Sequence, residues 1–147
     1  MNMTNKQRTT KYERVAECSV EGAWTNELGS TVSFVVDKDT GLMTGTYTTA
    51  VGDAPPTPFP LTGWTSPDGS HTSVSFSVLW NGGTSTTAWA GVLLTCDGRE
   101  TLKTTWLLVS ETDCDNSWGD TQVGFDDFTR VIAKPSEGVH SSAKEDL

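Results

Sequence analysis

Hydrophobic and polar residues alternate along short segments of this chain, from about residue 18 to about residue 133. In one clear segment, Val74, Phe76, Val78 and Trp80 take alternate positions, and serines fill most of the positions between them. A period of two residues is that of a β-strand with one face turned to an apolar interior. The pattern predicts eight strands, at about residues 18–26, 31–37, 41–49, 59–65, 72–80, 86–96, 100–110 and 119–133.

The links between these segments are short and contain turn-forming Gly-Gly and Asp-Gly pairs. Short links join neighbouring strands antiparallel, so the candidate architectures are an up-and-down barrel and a β-sandwich. The barrel is favoured because a meander that closes on itself has no exposed edge strand. An immunoglobulin-like sandwich would need a Cys–Trp–Cys core, which Cys18, Cys96 and Cys114 do not supply. The predicted fold class is therefore all-β, an eight-stranded antiparallel up-and-down β-barrel.

The length and the chain ends indicate one domain with two tails. At 147 residues the chain is long enough to bury one core. Both ends are polar, and Pro135 stands at the start of the last segment. We expect disordered tails at residues 1–17 and 134–147, on either side of a barrel domain of residues 18–133.

The net charge narrows the classes of partner. The formal net charge is -9, and an acidic surface repels nucleic-acid phosphates and anionic lipid head groups. Neither nucleic acid nor membrane is an expected partner, and no apolar run approaches the roughly 20 residues of a membrane-spanning helix. No signal peptide is visible in the first residues. Composition therefore leaves open an intracellular protein or one whose signal peptide has been removed.

Strand alternation places polar side chains beside aromatic ones inside the predicted barrel. A tryptophan in a strand is usually a core residue, but six tryptophans are a surplus for a chain this small. Asn26, Tyr47, Thr49 and Asp126 also face inward, and each would cost roughly 1–3 kcal/mol if buried without a partner. A ligand with its own donors and acceptors would satisfy these groups. The pattern therefore predicts a pocket for one small ligand in the barrel interior.

The sequence lacks the ingredients of an enzyme or of a metal site. His71 falls in a predicted turn and His140 in a tail, and no cysteine has a histidine at a usable spacing. Asp126 and Asp127 are neighbours on one strand, so they point to opposite faces and cannot act as an acid–base pair. The acidic loop at 113–116 lacks EF-hand spacing, which favours a solvated loop over a calcium site.

Other non-enzymatic functions remain alternatives at this point. A barrel for a lipid or a pigment would have few polar groups at the floor of its pocket, whereas this sequence predicts a dense set there. A lectin or a structural module is a more distant alternative.

Several segments of the chain, taken in order, resemble the avidin family over residues 18–130. Each segment alone is a weak signal, but all of them with matching spacing form a specific one. The matching segments are GAWTNELGS at 22–30, TGTY at 44–47, Trp80, STTAWAG at 85–91, LKTTWLL at 102–108 and VGFDDFTR at 123–130.

The resemblance implies an eight-stranded barrel that binds biotin non-covalently in a pocket at one end. It implies that three side chains converge on the ureido carbonyl of biotin, namely those of Asn26, Ser30 and Tyr47. It places Thr49 and Asp126 as acceptors for the two ureido N–H groups, and Thr87 near the thioether sulfur.

The resemblance also assigns the walls and the mouth of the pocket. Trp80, Trp89 and Trp106 match the aromatic walls, and Trp118 matches a lid that a neighbouring subunit provides. The remaining assigned residues are Leu28, Val51 and Leu108 in the apolar lining, with Ser85 and the backbone N–H of Asp53 at the carboxylate. Trp24 and Arg130 match structural positions, whereas Trp64 matches no aromatic position and is interpreted as a surface or interface residue.

Assembly, location and disulfides follow from the same resemblance. It implies a secreted homotetramer, with a dimer as the alternative, and Thr105, Val123 and Phe125 match a second, smaller interface. The family disulfide starts at a position matched by Cys18, but its partner position holds Leu93 here. A Cys18–Cys96 bridge and free thiols both remain open, with Cys114 free or intermolecular.

Overall fold

Eight antiparallel strands close into a barrel in chain order, each pairing with the next and the last pairing back to the first. This computed structural model describes residues 19–50, 57–117 and 119–132. The strands are β1 (Gly22–Thr25), β2 (Thr31–Val36), β3 (Leu42–Thr48), β4 (Pro58–Thr65), β5 (Ser73–Trp80), β6 (Ser85–Cys96), β7 (Arg99–Ser110) and β8 (Thr121–Arg130). The predicted all-β up-and-down barrel is confirmed, and no helix in the described ranges is long and apolar enough to cross a bilayer.

The predicted strands agree with the observed ones except at the ends of β1 and β8. β1 begins at Gly22 rather than at residue 18, because Gly22 has a φ of 125° that extended backbone does not adopt. β1 ends at Thr25 because Asn26 starts a tight turn, in which Gly29 donates to the Asn26 carbonyl. β8 covers Thr121–Arg130, which is shorter at both ends than the predicted 119–133.

The side chains that alternate into the barrel form one continuous apolar core. Its members include Trp24, Phe34, Met43, Leu102 and Phe128, all buried. Phe34 and Phe128 both meet the ring of Phe76 edge-on, at centroid distances of 5.0 and 6.5 Å. Because strand alternation was visible in the sequence, this set follows from the period of two.

One end of the barrel is closed by a tryptophan and an arginine. The Trp24 indole N–H donates to the carbonyl of Val20 at 2.8 Å, and the Arg130 guanidinium lies 4.3 Å from the Trp24 ring centroid. Arg130 also pairs with Glu100 at 2.7 Å and donates to the carbonyl of Glu21 at 2.8 Å. These contacts tie the chain before β1 to β7 and β8, and the fully buried Trp24 ring fills this end of the interior.

The opposite end is formed by the connections β1–β2, β3–β4, β5–β6 and β7–β8, because successive strands run in opposite directions. This is the end at which the sequence places the polar candidates for ligand binding. Val51 and Asp53, from the β3–β4 connection, lie outside the described residues, as do Trp118 and the two predicted tails.

Cys96 and Cys114 are exposed free cysteines. Cys96 lies at the end of β6, at the closed end, and Cys114 lies in the connection before β8. Cys18, the other cysteine of the possible bridge, lies outside the described residues.

Candidate ligand pocket

A cavity of about 220 Å³ opens at the end of the barrel opposite to Trp24. Eleven of the fifteen residues predicted from the sequence line it together. They are Asn26, Leu28, Ser30, Tyr47, Thr49, Trp80, Thr87, Trp89, Trp106, Leu108 and Asp126. Ser85 is described but is not among the residues that line the cavity, and Val51, Asp53 and Trp118 lie outside the described residues.

A buried carboxylate, Asp126, organises the floor of the cavity. Its Oδ2 accepts the indole N–H of Trp89 at 3.0 Å, and its Oδ1 accepts the Asn26 side-chain amide at 3.4 Å. Asp126 is 6% exposed. Both donors are neutral, so the carboxylate is held by hydrogen bonds and not by an ion pair.

The environment of Asp126 disfavours its charged form. Burial raises the pKa of the Asp126 carboxyl above its ordinary value, and the negative charges of Glu27 and Asp127 raise it further. The hydrogen bonds from Trp89 and Asn26 stabilise the charged form and partly oppose this shift in pKa. A bound N–H donor would act in the same direction as those two hydrogen bonds.

The Asn26 amide is oriented by the turn that follows β1. Its Oδ1 accepts the backbone N–H of Leu28 at 3.1 Å and that of Ser30 at 2.9 Å. With the oxygen committed to the turn, the amide nitrogen must point towards Asp126 and the cavity. Such a turn is the local structure that Asn favours, because its side chain can accept backbone N–H groups two or more residues ahead.

Tyr47 and Ser30 supply hydroxyl groups beside that amide. Ser30 Oγ accepts the backbone N–H of Ala50 at 3.1 Å, which leaves its hydroxyl hydrogen for another partner. Burial raises the pKa of Tyr47 to about 12, and the charge of Asp126 adds to this effect. Tyr47 therefore keeps its proton at neutral pH and can act as a hydrogen-bond donor.

Aromatic rings form the walls of the cavity and brace one another. The Tyr47 ring stacks on Trp89 with centroids 4.9 Å apart, and Phe76 stacks on the same indole at 4.8 Å. The Trp80 ring meets Tyr47 and Phe59 edge-on, at 5.7 and 4.9 Å. Rings packed in this way have little rotational freedom, so the walls are in place before a ligand arrives.

Two further contacts fix the orientation of the walls. The Trp80 indole N–H donates to Thr87 Oγ1 at 2.8 Å. Gly124 faces Trp106 across the β7–β8 ladder, and a Cβ added to Gly124 would overlap the Trp106 ring. The absence of a side chain at Gly124 therefore makes room for this wall.

Sequence reasoning missed two roles at this site. It assigned Trp89 to a wall but not to a hydrogen bond with Asp126, although alternation turns both residues inward. It also gave no role to Glu27, whose Oε2 accepts the backbone N–H of Asp127 at 3.3 Å. The sequence signal for Glu27 is its position in the turn next to Asn26, which alone does not show what it contacts.

The acidic loop before β8 is held by its own side chains. Asp113 Oδ1 accepts both the backbone N–H and the side-chain amide of Asn116, at 3.0 and 2.8 Å. Within the ranges that the structure describes, no group of three or more His, Cys, Asp or Glu residues could hold a metal ion.

A closed antiparallel barrel with aromatic walls and a hydrogen-bonding floor at one end defines a small-molecule-binding protein. The sequence model of the avidin family matches residues 14–131. The chain belongs to the avidin family, whose members are non-enzymatic biotin-binding proteins.

Individual members of the family agree with this assignment. The chain is 41% identical to avidin-related protein 4/5 of Gallus gallus over 119 residues, which cover 78% of this chain and 79% of that protein. It is 36% identical to avidin of Gallus gallus over 121 residues, covering 78% and 80% of the two chains. The crystal structure of xenavidin superposes with a TM-score of 0.68 at 34% identity, covering 78% of this chain and 98% of the other.

Proposed function

We propose that this protein binds and sequesters biotin in the cavity at the open end of the barrel. The observation that carries the proposal is the floor, where oriented donors and a buried acceptor face a ring-walled space of about 220 Å³. The ureido ring of biotin has one carbonyl oxygen and two N–H groups, which is the complementary set.

Three donors are available for the ureido carbonyl. The Tyr47 hydroxyl keeps its proton, the Ser30 hydroxyl hydrogen is not needed for its bond to Ala50, and the Asn26 amide nitrogen has a second hydrogen. Donors that converge on one oxygen before the ligand binds stabilise the negative charge on that oxygen. Tight binding follows because these groups need little reorganisation.

The acceptors for the ureido N–H groups are Asp126 and Thr49. A hydrogen bond to a charged acceptor contributes roughly 1.5–3 kcal/mol, so Asp126 provides the larger share. Trp80, Trp89 and Trp106 would enclose the bicyclic ring, and the Thr87 hydroxyl can turn its hydrogen to the ring sulfur because it accepts from Trp80. Leu28, Leu108 and Val51 would complete the apolar lining.

The valerate tail would leave through the open end, with Ser85 and the backbone N–H of Asp53 near its carboxylate. The β5–β6 turn adds little cover there, because its residues 81–84 read NGGT and include neither an aromatic side chain nor an arginine. We therefore expect the carboxylate of biotin to be held less firmly than in a relative with an arginine in this turn.

We also propose that copies of the chain assemble into a homotetramer, in which Trp118 of one subunit covers the pocket of its neighbour. The support is a patch without charged side chains on the outer face of β4–β8, in a chain with a net charge of -9. Two rows of cross-strand partners cross this face: Trp64, Ser75, Ala90, Thr105 and Phe125 in one, and Thr62, Ser77, Ala88, Leu107 and Val123 in the other.

The outer face also has a shape that a second copy could fill. Small side chains in its centre line a groove of about 640 Å³, between Trp64 on one side and Leu107 and Val123 on the other. Phe125 and Val123 are 75% and 63% exposed, and apolar exposure of this extent marks an interaction surface. A dimer is the alternative assembly. An extracellular location is proposed on family membership.

Titration of intrinsic tryptophan fluorescence tests the ligand. Biotin is expected to change the emission at one equivalent per chain, desthiobiotin to bind more weakly, and a fatty acid to have no effect. A response to the fatty acid without one to biotin would reject the proposal and favour a lipid carrier. The dissociation rates of biotin and its carboxamide, compared with those from a relative that has an arginine in the β5–β6 turn, test how firmly the carboxylate is held; identical rates in the two proteins would reject this expectation.

A further inference from the structure

The seam between β1 and β8 is incomplete beside the pocket. The last backbone pairs are Trp24 with Arg130 and Thr25 with Thr129, and Val131 donates to the Ala23 carbonyl at 2.8 Å. On the side of the pocket, β8 extends beyond these pairs. β1 has no further strand residue to pair with it there, because the chain turns at Asn26.

Glu27 occupies the next position of this ladder with its side chain. In an antiparallel ladder the N–H groups of alternate residues face the same neighbour, so Asp127 is the next donor on the β1 side. Its N–H is accepted by Glu27 Oε2 at 3.3 Å. The side chain thus takes the place of a backbone carbonyl, directly beside the residue that forms the floor of the pocket.

The same position brings a negative charge close to Asp126. The charged groups near this carboxylate are Glu27 from the β1–β2 turn and Asp127 from β8, and both raise its pKa. Tyr47 from β3 faces it as a neutral hydroxyl. Lys103 from β7 lies 3.9 Å from Asp127, on the outer face, with both side chains about half exposed.

We propose that Glu27 is a positioning residue that holds the β8 seam beside the pocket and makes ligand retention sensitive to acid. The inference rests on the proposed biotin site. The acceptor for a ligand N–H is the ionised carboxylate of Asp126, and its protonated form presents a hydrogen where an acceptor is needed. Because Glu27 opposes the ionised form, retention weakens at a higher pH than it would without this residue.

Two substitutions separate the two actions of Glu27. Glu27→Gln keeps an oxygen that accepts the Asp127 N–H but removes the charge, whereas Glu27→Ala removes both. Asp39→Asn is the matched control, since it removes an acidic group from the β2–β3 turn at the closed end. The dissociation rate of a fluorescent biotin is measured for all four proteins from neutral to acidic pH.

Glu27→Gln is expected to match the original protein within about twofold at neutral pH and to release ligand about threefold more slowly at the acid end. Glu27→Ala is expected to release it several-fold faster at neutral pH. Asp39→Asn should follow the original profile throughout. A Glu27→Gln profile that superimposes on the original, or an equal shift in Asp39→Asn, would overturn the proposal.

A second measurement needs no biotin and so separates this proposal from the biotin site itself. The carboxyl carbon of Asp126 is followed by NMR against pH in the ligand-free protein. Glu27→Gln should lower the titration midpoint of this carboxyl, and Asp39→Asn should leave it in place. An unchanged midpoint in Glu27→Gln would overturn the inference, whereas absence of biotin binding in the original protein would overturn the proposed function.

Discussion

The Trp89 indole donates to Asp126 across 3.0 Å, although strand β7 lies between the strands that carry the two residues. The contact crosses the barrel interior, so it links a wall of the pocket to its floor. The ring of Trp89 is itself fixed between Tyr47 and Phe76. The carboxylate is thereby held in one orientation before a ligand binds.

Asp126→Ala should weaken biotin binding about tenfold to a hundredfold while the fold persists. It removes a charged acceptor worth roughly 1.5–3 kcal/mol, and water in the emptied site can satisfy Trp89 and Asn26. Calorimetric titration gives the affinity and thermal unfolding checks the fold. Asp127→Ala is the matched control, because Asp127 faces outward from the next position on β8, and equal losses in both variants would contradict the assignment.

The direction of the pKa shift of Asp126 predicts how the stability of the ligand-free protein changes with pH. The pKa of Asp126 is raised in the folded state. Its favourable contribution to stability is therefore complete below the ordinary carboxyl pKa and is lost as pH rises through the raised value. Thermal unfolding of the original protein and of Asp126→Asn, compared from about pH 3 to about pH 8, isolates this group.

The unfolding temperature of the original protein, relative to that of Asp126→Asn, should fall as pH rises across this range. Added biotin should reverse the trend, because the ligand favours the ionised carboxylate and stabilises the folded state most at the higher pH. A relative unfolding temperature that rises with pH without ligand would show that burial does not oppose ionisation here.

Much of the fold was predictable because strand alternation is a local signal. The period of two assigned Val74, Phe76 and Val78 to the interior, and all three are buried. The same signal placed Tyr47 and Asp126 inside. Their convergence on one cavity was implied by the family resemblance and by the barrel, not by alternation itself.

What could not be predicted depends on how distant strands meet. Alternation gives the face of a residue but not its height in the barrel, so the bond between Trp89 and Asp126 was not visible. The role of Glu27 depends on where β1 ends, which is at Thr25. The sequence pattern did not give the limits of this strand, since it started β1 at residue 18 instead of Gly22. Backbone geometry at Gly22 and the turn at Asn26 decide those limits.

Charged substitutions on the outer face should break the assembly. Val123→Lys combined with Phe125→Lys places two cations on each copy of an apolar surface, where burial would be strongly unfavourable. Sedimentation should show a tetramer for the original protein and a smaller species for the double variant. The biotin dissociation rate of the variant then shows whether the same face also presents Trp118 to the neighbouring pocket, since loss of that residue would make release faster.

Val35→Lys is the control for that experiment. Val35 is 62% exposed on β2, away from the two rows of the outer face, and should leave the sedimentation unchanged. A tetramer that survives both lysines on β8 would place the interface elsewhere on the barrel.

Gly124→Ala should weaken biotin binding by more than about tenfold without a change at any polar group of the floor. The added methyl group would overlap the Trp106 ring, and both lie on strands whose backbone is fixed by the ladder. The indole must therefore turn away from its wall position, at a cost of about 1–3 kcal/mol in strain together with lost ring contact. Gly98→Ala is the control for an added methyl group away from the pocket, since Gly98 lies in the β6–β7 turn at the closed end and nothing lies within 4 Å of its Cβ position. Calorimetry gives the affinities, and the total tryptophan emission, to which Trp106 contributes, should shift in Gly124→Ala alone. Unchanged affinity with a shifted emission would show that the Trp106 ring does not contact the ligand.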